Sequence, residues 1–433
     1  MSRFSLDSLK SLKKMGAMNQ NSAPIAIDLG VSAMRILQVS PGDKPSLVSA
    51  ASLDTPDELI NNHVRRVEFQ LAAVPGMLKT AAFKGKRVVC SIPACLTFCK
   101  HIQVQKIDGA SIESLAQGAI AAQIGCDPSL LVMRLTVVGD VARGTGPATT
   151  EVICMAAARE MVEKIMTAIK SAKLEPVGVH SEYLAANCAF RDLYCQGSDM
   201  ETTTIYLDLG AGSTKVMIAN GQDLVFAKGI ELGGSRLDEM VAKELKISLT
   251  AAREKRIAGV CKFDSAKSQA AASLSGVAQV QESQGGLAIL AAAMRKEGVE
   301  PEAASPAAAQ GRRVGQAPDG FSEDLRDVQD GPQVFDHGEH MEILTDEISM
   351  CMRYYQTIFP DRKIDRAVFV GGGARDIGMC RHIANALKMP GQSMDPLARI
   401  KRTGKEPVAG VDFSQAQPAW TVAYGLTRAP TDL

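Results

Sequence analysis

The sequence predicts an α/β protein of two similar lobes, and three stretches carry that prediction. Tyr206 to Gly221, YLDLGAGSTKVMIANG, leads branched residues into Asp208, turns through Leu-Gly-Ala-Gly and opens a second alternating run at Ser213, the pattern of a tight β-hairpin. Ile25 to Val39, IAIDLGVSAMRILQV, aligns with it without a gap: Asp28 matches Asp208, Leu29 matches Leu209, Gly30 matches Gly210, Arg35 matches Lys215 and Ile36 matches Val216. A domain half is therefore duplicated. Ala367 to Gly378, AVFVGGGARDIG, is a buried strand that runs into three glycines and then a helix whose first turn carries Asp376.

The hairpin tips have the composition of an anion site. Gly210 and Gly212 permit positive φ and close approach of backbone N–H groups, while Ser213 and Thr214 add hydroxyl donors. Asp208, at the end of a buried strand, is placed to hold the hydrated magnesium that accompanies a nucleoside triphosphate. A single glycine turn beside an Asp is ordinarily only a turn, so the second copy is what gives the motif weight. That copy is the poorer one: Ala33 and Met34 stand where Ser213 and Thr214 stand in its twin, which leaves Ser32 as its hydroxyl donor. Binding is expected to survive this better than hydrolysis.

Composition sets the outer bounds. With 433 residues the chain can bury two cores. Basic and acidic residues balance to a net charge of zero and aromatics are 4%, so there is neither a basic footprint nor a stacking surface for nucleic acid. The 10 cysteines are scattered without a CxxC, which suits reduced thiols in a cytosolic compartment. No apolar run reaches the roughly 18 residues of a membrane span, and the N-terminus has no continuous hydrophobic signal segment. Any membrane role is expected to be peripheral.

Two Asp-Leu-Gly hairpins followed late in the chain by a strand into Gly-Gly-Gly resemble, in that order, the phosphate-1, phosphate-2 and adenosine motifs of the actin, Hsp70 and sugar-kinase superfamily. The resemblance covers about residues 24 to 429. It implies an actin-like (ribonuclease H-like) two-lobed fold, with ATP and Mg2+ as cofactors. On that resemblance the nucleotide-binding residues are Asp28, Gly30, Ser32, Asp208, Gly210, Gly212, Ser213, Thr214, Lys215, Gly371, Gly372 and Gly373, with Asp28 and Asp208 holding the metal through water.

Followed in order, the chain adds detail. Residues 1 to 20 set Phe4, Leu6, Leu9, Leu12 and Met15 among Arg3, Lys10, Lys13 and Lys14, a basic amphipathic pattern that reads first as a frayed tail and second as a surface helix. Strands follow from Pro24 to Leu53, then a helix from about Val64 to Phe83 and a buried strand, RVVCSIP, over Arg87 to Pro93. A strand near Phe98 to Val104, a helix from Ser111 to Gln123, strands near Leu130 to Val138 and Glu151 to Ala156, and a helix from Arg159 to Ala172 make a compact α/β unit. The Ser-Ile-Pro phrase and the placing of this unit resemble the PilM family of type IV pilus assembly proteins and its relative FtsA, whose first lobe departs there into an inserted subdomain.

Leu174 to Ala189 reads as a strand and a helix with Ser181 near its N-cap. It resembles the first segment connecting the lobes, where a polar residue orients the attacking water, and Glu182 is the candidate beside Asp208; an exposed Glu in a helix's first turn is also ordinary. Gly233-Gly234, in ELGGS, resembles the glycine pair that opens the second lobe's small subdomain near the nucleotide, with Lys243, Arg253, Lys255 and Arg256 following as nucleotide contacts or a solvated face. Residues 263 to 335 are rich in Ala, Gln, Ser and Gly and are expected to be a disordered insertion. His337 and His340 lack a second pair of ligands nearby and read as adventitious. His340 to Phe359 is an amphipathic helix with Ile343, Ile348, Met352, Tyr355 and Phe359 near helical spacing, and Pro418 to Arg428, PAWTVAYGLTR, resembles the second connecting helix.

The expected organisation is a tail over 1–23, first lobe 24–93, inserted partner-binding subdomain 94–175, connecting segment 176–200, second lobe 201–262, insertion 263–335, and second lobe resumed over 336–433. The resemblance implies a cytoplasmic, ATP-binding assembly factor at the inner face of the inner membrane, at most a slow ATPase. Its implied partner is the cytoplasmic N-terminal tail of a PilN-like membrane protein, with pilus motor or platform proteins and self-assembly as further contacts. An FtsA-like cytoskeletal protein is the nearest alternative, although the chain is expected to end at Arg428 to Leu433 without an amphipathic membrane helix. A sugar or small-acid kinase is the rival from another class; it needs a carboxylate to take the substrate's proton, and Glu182 is the one the connecting segment offers.

Overall fold

The structure is a computed structural model and describes residues 23–42, 45–107, 109–141, 149–194, 197–258, 260–262 and 334–433. The amphipathic run over 1–20 and nearly all of the insertion expected over 263–335 lie outside the described residues.

Continuous apolar runs make the central strands. β1 (Ile25–Leu29) is buried along its whole length and turns back into β2 (Ala33–Val39), and β3 (Leu47–Asp54) extends the antiparallel meander. α1 (His63–Thr80) is capped by the Asn62 side chain, which accepts the Arg65 N–H, and β4 (Arg87–Ile92) then pairs parallel to β1. There follow β5 (Phe98–Gln105), α2 (Ile112–Ile124), β6 (Leu131–Val141), β7 (Thr149–Ala158), α3 (Arg159–Ser171), β8 (Glu175–Ser181) and α4 (Glu182–Tyr194). The second lobe holds β9 (Thr203–Leu209), β10 (Thr214–Asn220), β11 (Asp223–Ile230), α5 (Gly234–Leu245), α6 (Leu249–Ala258), β12 (Val260–Lys262), β13 (Val334–Asp336), α7 (Gly338–Ile358), β14 (Arg366–Val370), α8 (Ile377–Ala386) and β15 (Gly391–Ser393). β16 (Val408–Ala409) and α9 (Thr421–Leu426) complete the described elements.

The duplication seen in sequence is a duplication of topology. The first lobe's sheet runs β16-β3-β2-β1-β4-β8 and the second lobe's runs β11-β10-β9-β14-β15, each an antiparallel meander joined to parallel strands. Register repeats as well: Asp28 sits opposite Arg35, and Asp208 opposite Lys215. Spacing of seven residues across a hairpin thus sets one carboxylate beside one cation in each lobe.

Packing moves two expected boundaries. α3 follows the inserted strands in the chain, but Val162, Ile165 and Ile169 on its buried face pack with Val67, Leu71 and Cys90 in the first lobe's core, so the inserted layer is narrower than 94–175. Burial of an apolar stripe decides the helix's place. At the other end, β16 adds to the first lobe's sheet parallel to β3, and the Leu47 N–H donates to the Lys401 carbonyl at 2.9 Å, so the chain has reached the first lobe by Lys401, well before 433. In α7, Ile343 is 48% exposed, while Met341, Leu344, Ile348, Cys351 and Tyr355 make the buried stripe, so Ile343 is off the face expected of it.

The inserted sheet, in the order β5-β7-β6, leans on the second lobe. His101 of β5 stacks on Phe226 with ring centroids 4.8 Å apart, and its Nε2 accepts the Ala227 N–H at 3.1 Å. Its Nδ1 lies 2.9 Å from Glu151, whose same oxygen accepts from the Tyr354 hydroxyl of α7 at 2.9 Å. A unit attached to the first lobe by its chain ends therefore also rests against the second.

α4 and α9 cross each other over the first lobe's sheet. A Cβ placed on Gly425 would lie 1.7 Å from the Ala185 carbonyl oxygen, so the two backbones touch without side chains between them. Gly425→Ala is expected to cost about 3 kcal/mol or more, at or beyond the upper end of ordinary overpacking. Chemical denaturation measures it, and an unchanged midpoint would refute the close crossing.

Candidate nucleotide cleft

The two hairpin tips line one small cavity. Asp28, Gly30, Val31, Ser32 and Arg35 come from the first tip, Asp208, Gly210, Gly212, Ser213 and Lys215 from the second, Glu182 from the start of α4, and Gly371 and Gly372 from the end of β14. Its volume is about 60 Å3. That is room for a few waters, in a cleft that is partly open to solvent.

Glycine at 371 is required by two facts: its φ is +83°, and a Cβ there would lie 2.2 Å from Asp208 Oδ1. The tips are also in contact across the cleft, since a Cβ on Gly212 would come within 3.1 Å of the Val31 side chain. Gly210 turns its N–H inward to the Ser213 carbonyl at 3.0 Å, so that donor is used within the hairpin tip.

Electrostatics concentrate on the paired residues. Lys215 is buried, and its Nζ donates to Glu182 Oε2 at 2.6 Å and lies 3.0 Å from Asp208 Oδ2. Burial pulls its pKa down, but Asp208 and Glu182 outweigh that and hold the ammonium well above the ordinary lysine range. Asp28 accepts a hydrogen bond from the Ser91 hydroxyl at 3.1 Å, with Arg35 Nη1 3.9 Å from its other oxygen. Burial first, and the negative charge of Glu182 second, push the Asp28 carboxyl up to about 7 against the pull of Arg35, Lys215 and Ser91.

Several expected site residues lie behind the cavity instead of on it. Thr214 is buried and gives its hydroxyl to the Leu232 carbonyl at 2.8 Å, which fixes β10 to the loop after β11. Gly233 and Gly234 support the second tip from below: the Gly234 N–H donates to the Gly210 carbonyl at 2.9 Å, and a Cβ on Gly233 would lie 2.2 Å from the Ala211 oxygen. Gly373 packs on Leu209. Glu182, read as an ordinary exposed first-turn residue or a water-positioning one, is 6% exposed and bonded to Lys215. Arg256 is neither solvated nor on the cleft; it is buried, with Nε 2.8 Å from Asp238 and Nη1 3.3 Å from Asp376, the residue that caps α8.

Two residues at the cleft went unnominated by sequence reasoning. Arg35 was legible as the partner of Lys215 in the duplicated alignment. Ser91 was present in the Ser-Ile-Pro phrase, but nothing local shows that its hydroxyl reaches Asp28 and accepts the Leu29 N–H at 2.9 Å.

The protein's own donors make no complete cage for a divalent ion, and a magnesium held through water by Asp28 and Asp208 would take its remaining ligands from phosphate and water. Magnesium asks for near-octahedral oxygen ligation at about 2.0–2.1 Å. Here the Lys215 ammonium lies between Asp208 and Glu182, and among the described residues no group of three or more His, Cys, Asp or Glu is placed to hold a metal.

Two lobes of one repeated strand order, closing Asp-x-Gly hairpin tips and a glycine-rich strand end on a common cleft, define an actin-like protein. The family model for type IV pilus assembly protein PilM matches residues 26–266, more than half of the chain, and the chain belongs to that family. In fold it is similar to a solved PilM-PilN type IV pilus biogenesis complex, with TM-score 0.60 at 16% identity over 94% of this chain and 98% of that one. Weaker likenesses are to MreB5 of Spiroplasma citri bound to ADP (TM-score 0.41, 11% identity, 94% of this chain and 95% of that one) and to the ethanolamine utilization protein EutJ from Carboxydothermus hydrogenoformans (TM-score 0.40, 12% identity, 98% and 99%). No curated protein sequence matches the chain.

Proposed function

We propose that this protein is a cytoplasmic, ATP-binding adaptor of a type IV pilus or related assembly system, held at the inner face of the inner membrane by the cytoplasmic N-terminal tail of a PilN-like partner. The observation that carries the nucleotide half is the convergence of both hairpin tips and Gly371 on one cavity. Phosphates lie against Gly30, Ser32, Gly212 and Ser213, and the base or ribose against Gly371 and Gly372. The partner half rests on membership of the family and on the solved complex, which pairs a PilM with a PilN. No helix among the described residues is long and apolar enough to cross a membrane.

A nucleotide bound between the two tips touches both lobes and so sets the angle between them. Glu182 holds Lys215 through one carboxylate oxygen, and hydrolysis is taken to be slow because the first hairpin tip has Ala33 and Met34 where its twin has hydroxyl residues. The tail is accommodated at the inserted sheet, beside which lies a groove of about 1180 Å3 lined by Val137 and Val138 of β6, Leu184 and Arg191 of α4, and Phe359 and Arg362 of the second lobe. This groove lies at the far ends of the strands from the cleft, at Thr203 and Asn220.

A tail peptide titrated by fluorescence anisotropy, with and without a non-hydrolysable ATP analogue, tests both halves. Coupling of about 1–3 kcal/mol changes peptide affinity about 5- to 150-fold, and by linkage the peptide changes nucleotide affinity by the same factor. Equal affinity in both states would leave an adaptor without a switch; no binding by tails of pilus membrane proteins would reject the adaptor.

A further inference from the structure

Among the described residues β8 is the last strand of the first lobe's sheet, so one of its edges has no neighbouring strand. Unpaired backbone groups along such an edge are a template for another extended chain. Here the edge is covered by Pro430–Leu433, a strap that follows α9: the Leu433 N–H donates to the Val177 carbonyl at 3.2 Å, and His180 Nε2 donates to the Pro430 carbonyl at 2.9 Å. The Asp432 carboxylate reaches Arg134 of β6, the edge strand of the inserted sheet, at 2.9 Å. The receiving side is built for a backbone. His180 is 4% exposed, and a Cβ on Gly178 would lie 2.8 Å from the Pro430 oxygen, so glycine leaves the room that an incoming chain needs. Register between β4 and β8 passes from Val88 opposite Pro176 to Val89 opposite Gly178, which makes Val177, the acceptor of the Leu433 N–H, the extra residue of a bulge. The occupant is held far less firmly. Pro430, Thr431, Asp432 and Leu433 are all exposed, and the Arg134–Asp432 pair, with side chains 51% and 40% exposed, adds little in water.

We propose that the β8 edge, with Gly178, His180 and Arg134, is a docking site for an extended peptide that carries a carboxylate side chain, and that Pro430–Leu433 is an intramolecular competitor that keeps the site closed until displaced. The inference is independent of the nucleotide cleft, and its three site residues do not line the groove assigned to the membrane partner's tail. The strap defines the chemistry of its replacement: a backbone carbonyl for His180, a backbone N–H for Val177 and an acidic side chain between them for Arg134. Main-chain bonds supply the hold and the carboxylate the selectivity, as in strand addition generally. A segment tethered by a short linker competes at an effective concentration on the order of millimolar, so a free peptide making the same contacts is excluded while the strap is in place.

The test follows the fluorescence anisotropy of a labelled peptide with the strap's own sequence, Arg428 to Leu433. A variant lacking residues 430–433 is expected to bind it about fivefold or more tightly than the full chain does, and Arg134→Glu in the shortened chain to reverse most of that gain. Equal affinity for the two chains, or no binding by the shortened one, would show that the segment merely covers an edge and would overturn the proposal. Should the shortened chain fail to fold, Asp432→Lys in the full chain is decisive, because it sets a second cation against Arg134 and loosens the strap without removing it: peptide affinity is expected to exceed that of the wild type, and no increase overturns the proposal. A full-length dimer in sedimentation that dissociates when residues 430–433 are removed would assign the segment to a neighbouring copy and would overturn the intramolecular competitor as well.

Discussion

Arg256→Met is expected to lower the free energy of unfolding by about 3–5 kcal/mol, the usual result of breaking a buried ion pair from one side. The guanidinium is 2% exposed and serves three elements at once: it is a residue of α6, bonds Asp238 of α5 through Nε, and reaches Asp376 at the cap of α8 through Nη1. Asp238 is fully buried and has Arg253 as a second partner at 3.0 Å, whereas Asp376 is held by the Met379 N–H and Arg256. Burial, opposed by the Met379 N–H, Arg256 and the Gly378 N–H, already lifts the Asp376 pKa above its ordinary value, so removing the cation leaves a buried carboxylate with its charge uncompensated. Urea unfolding at neutral pH measures the loss. A change below about 1 kcal/mol would mean that the carboxylates are readily rehydrated.

Asp28→Asn is expected to act in the opposite direction. The Asp28 carboxyl is raised from 3.8 to about 7, so between those values the folded chain holds a proton that the unfolded chain has lost. Stability from this group is complete below about pH 4 and disappears as pH rises through about 7, because unfolding releases a proton across that window. At about 1.4 kcal/mol per pKa unit the span is on the order of 4 kcal/mol. The Asn variant cannot titrate, so its stability curve should be flatter over this interval and should exceed that of the wild type above pH 7. The two should converge toward pH 4. Thermal unfolding across the pH series checks it, and parallel curves would show that Asp28 is not the group concerned.

Much of the architecture was legible because its signals are local. Asp208, Gly210 and Ser213 spell a hairpin tip within six residues, and the gapless copy at Asp28 and Gly30 reveals the duplicated topology without any knowledge of packing. Gly371 could be nominated because its strand into three glycines follows the two Asp-Leu-Gly hairpins and completes a triad of motifs. The charge pattern was not legible in the same way. Lys215 was assigned to the nucleotide, but its bond to Glu182 joins residues 33 apart in sequence and depends on how β8 delivers α4 to the hairpin. Arg256 looked like one of several solvated basic residues, because the sequence of α6 does not reveal that Asp376, 120 residues onward, closes over it. α3 was grouped with its neighbours in the chain, although its apolar stripe matched the other layer. Elements follow from short-range chemistry; their partners follow from which surfaces remain to be covered.

The inserted sheet that hangs from the first lobe and rests on the second has a kinetic meaning. It spans the cleft from outside, through His101 on Phe226 and Glu151 on Tyr354, so the lobes cannot separate without sliding or releasing those contacts. On the proposed function, release of a bound nucleotide is expected to be paced by how often this brace lets go, and a partner bound to the inserted sheet to change the nucleotide's lifetime in addition to its affinity. Residence time, measured by chasing a fluorescent nucleotide, is then the property through which the outside of the molecule reports on its interior.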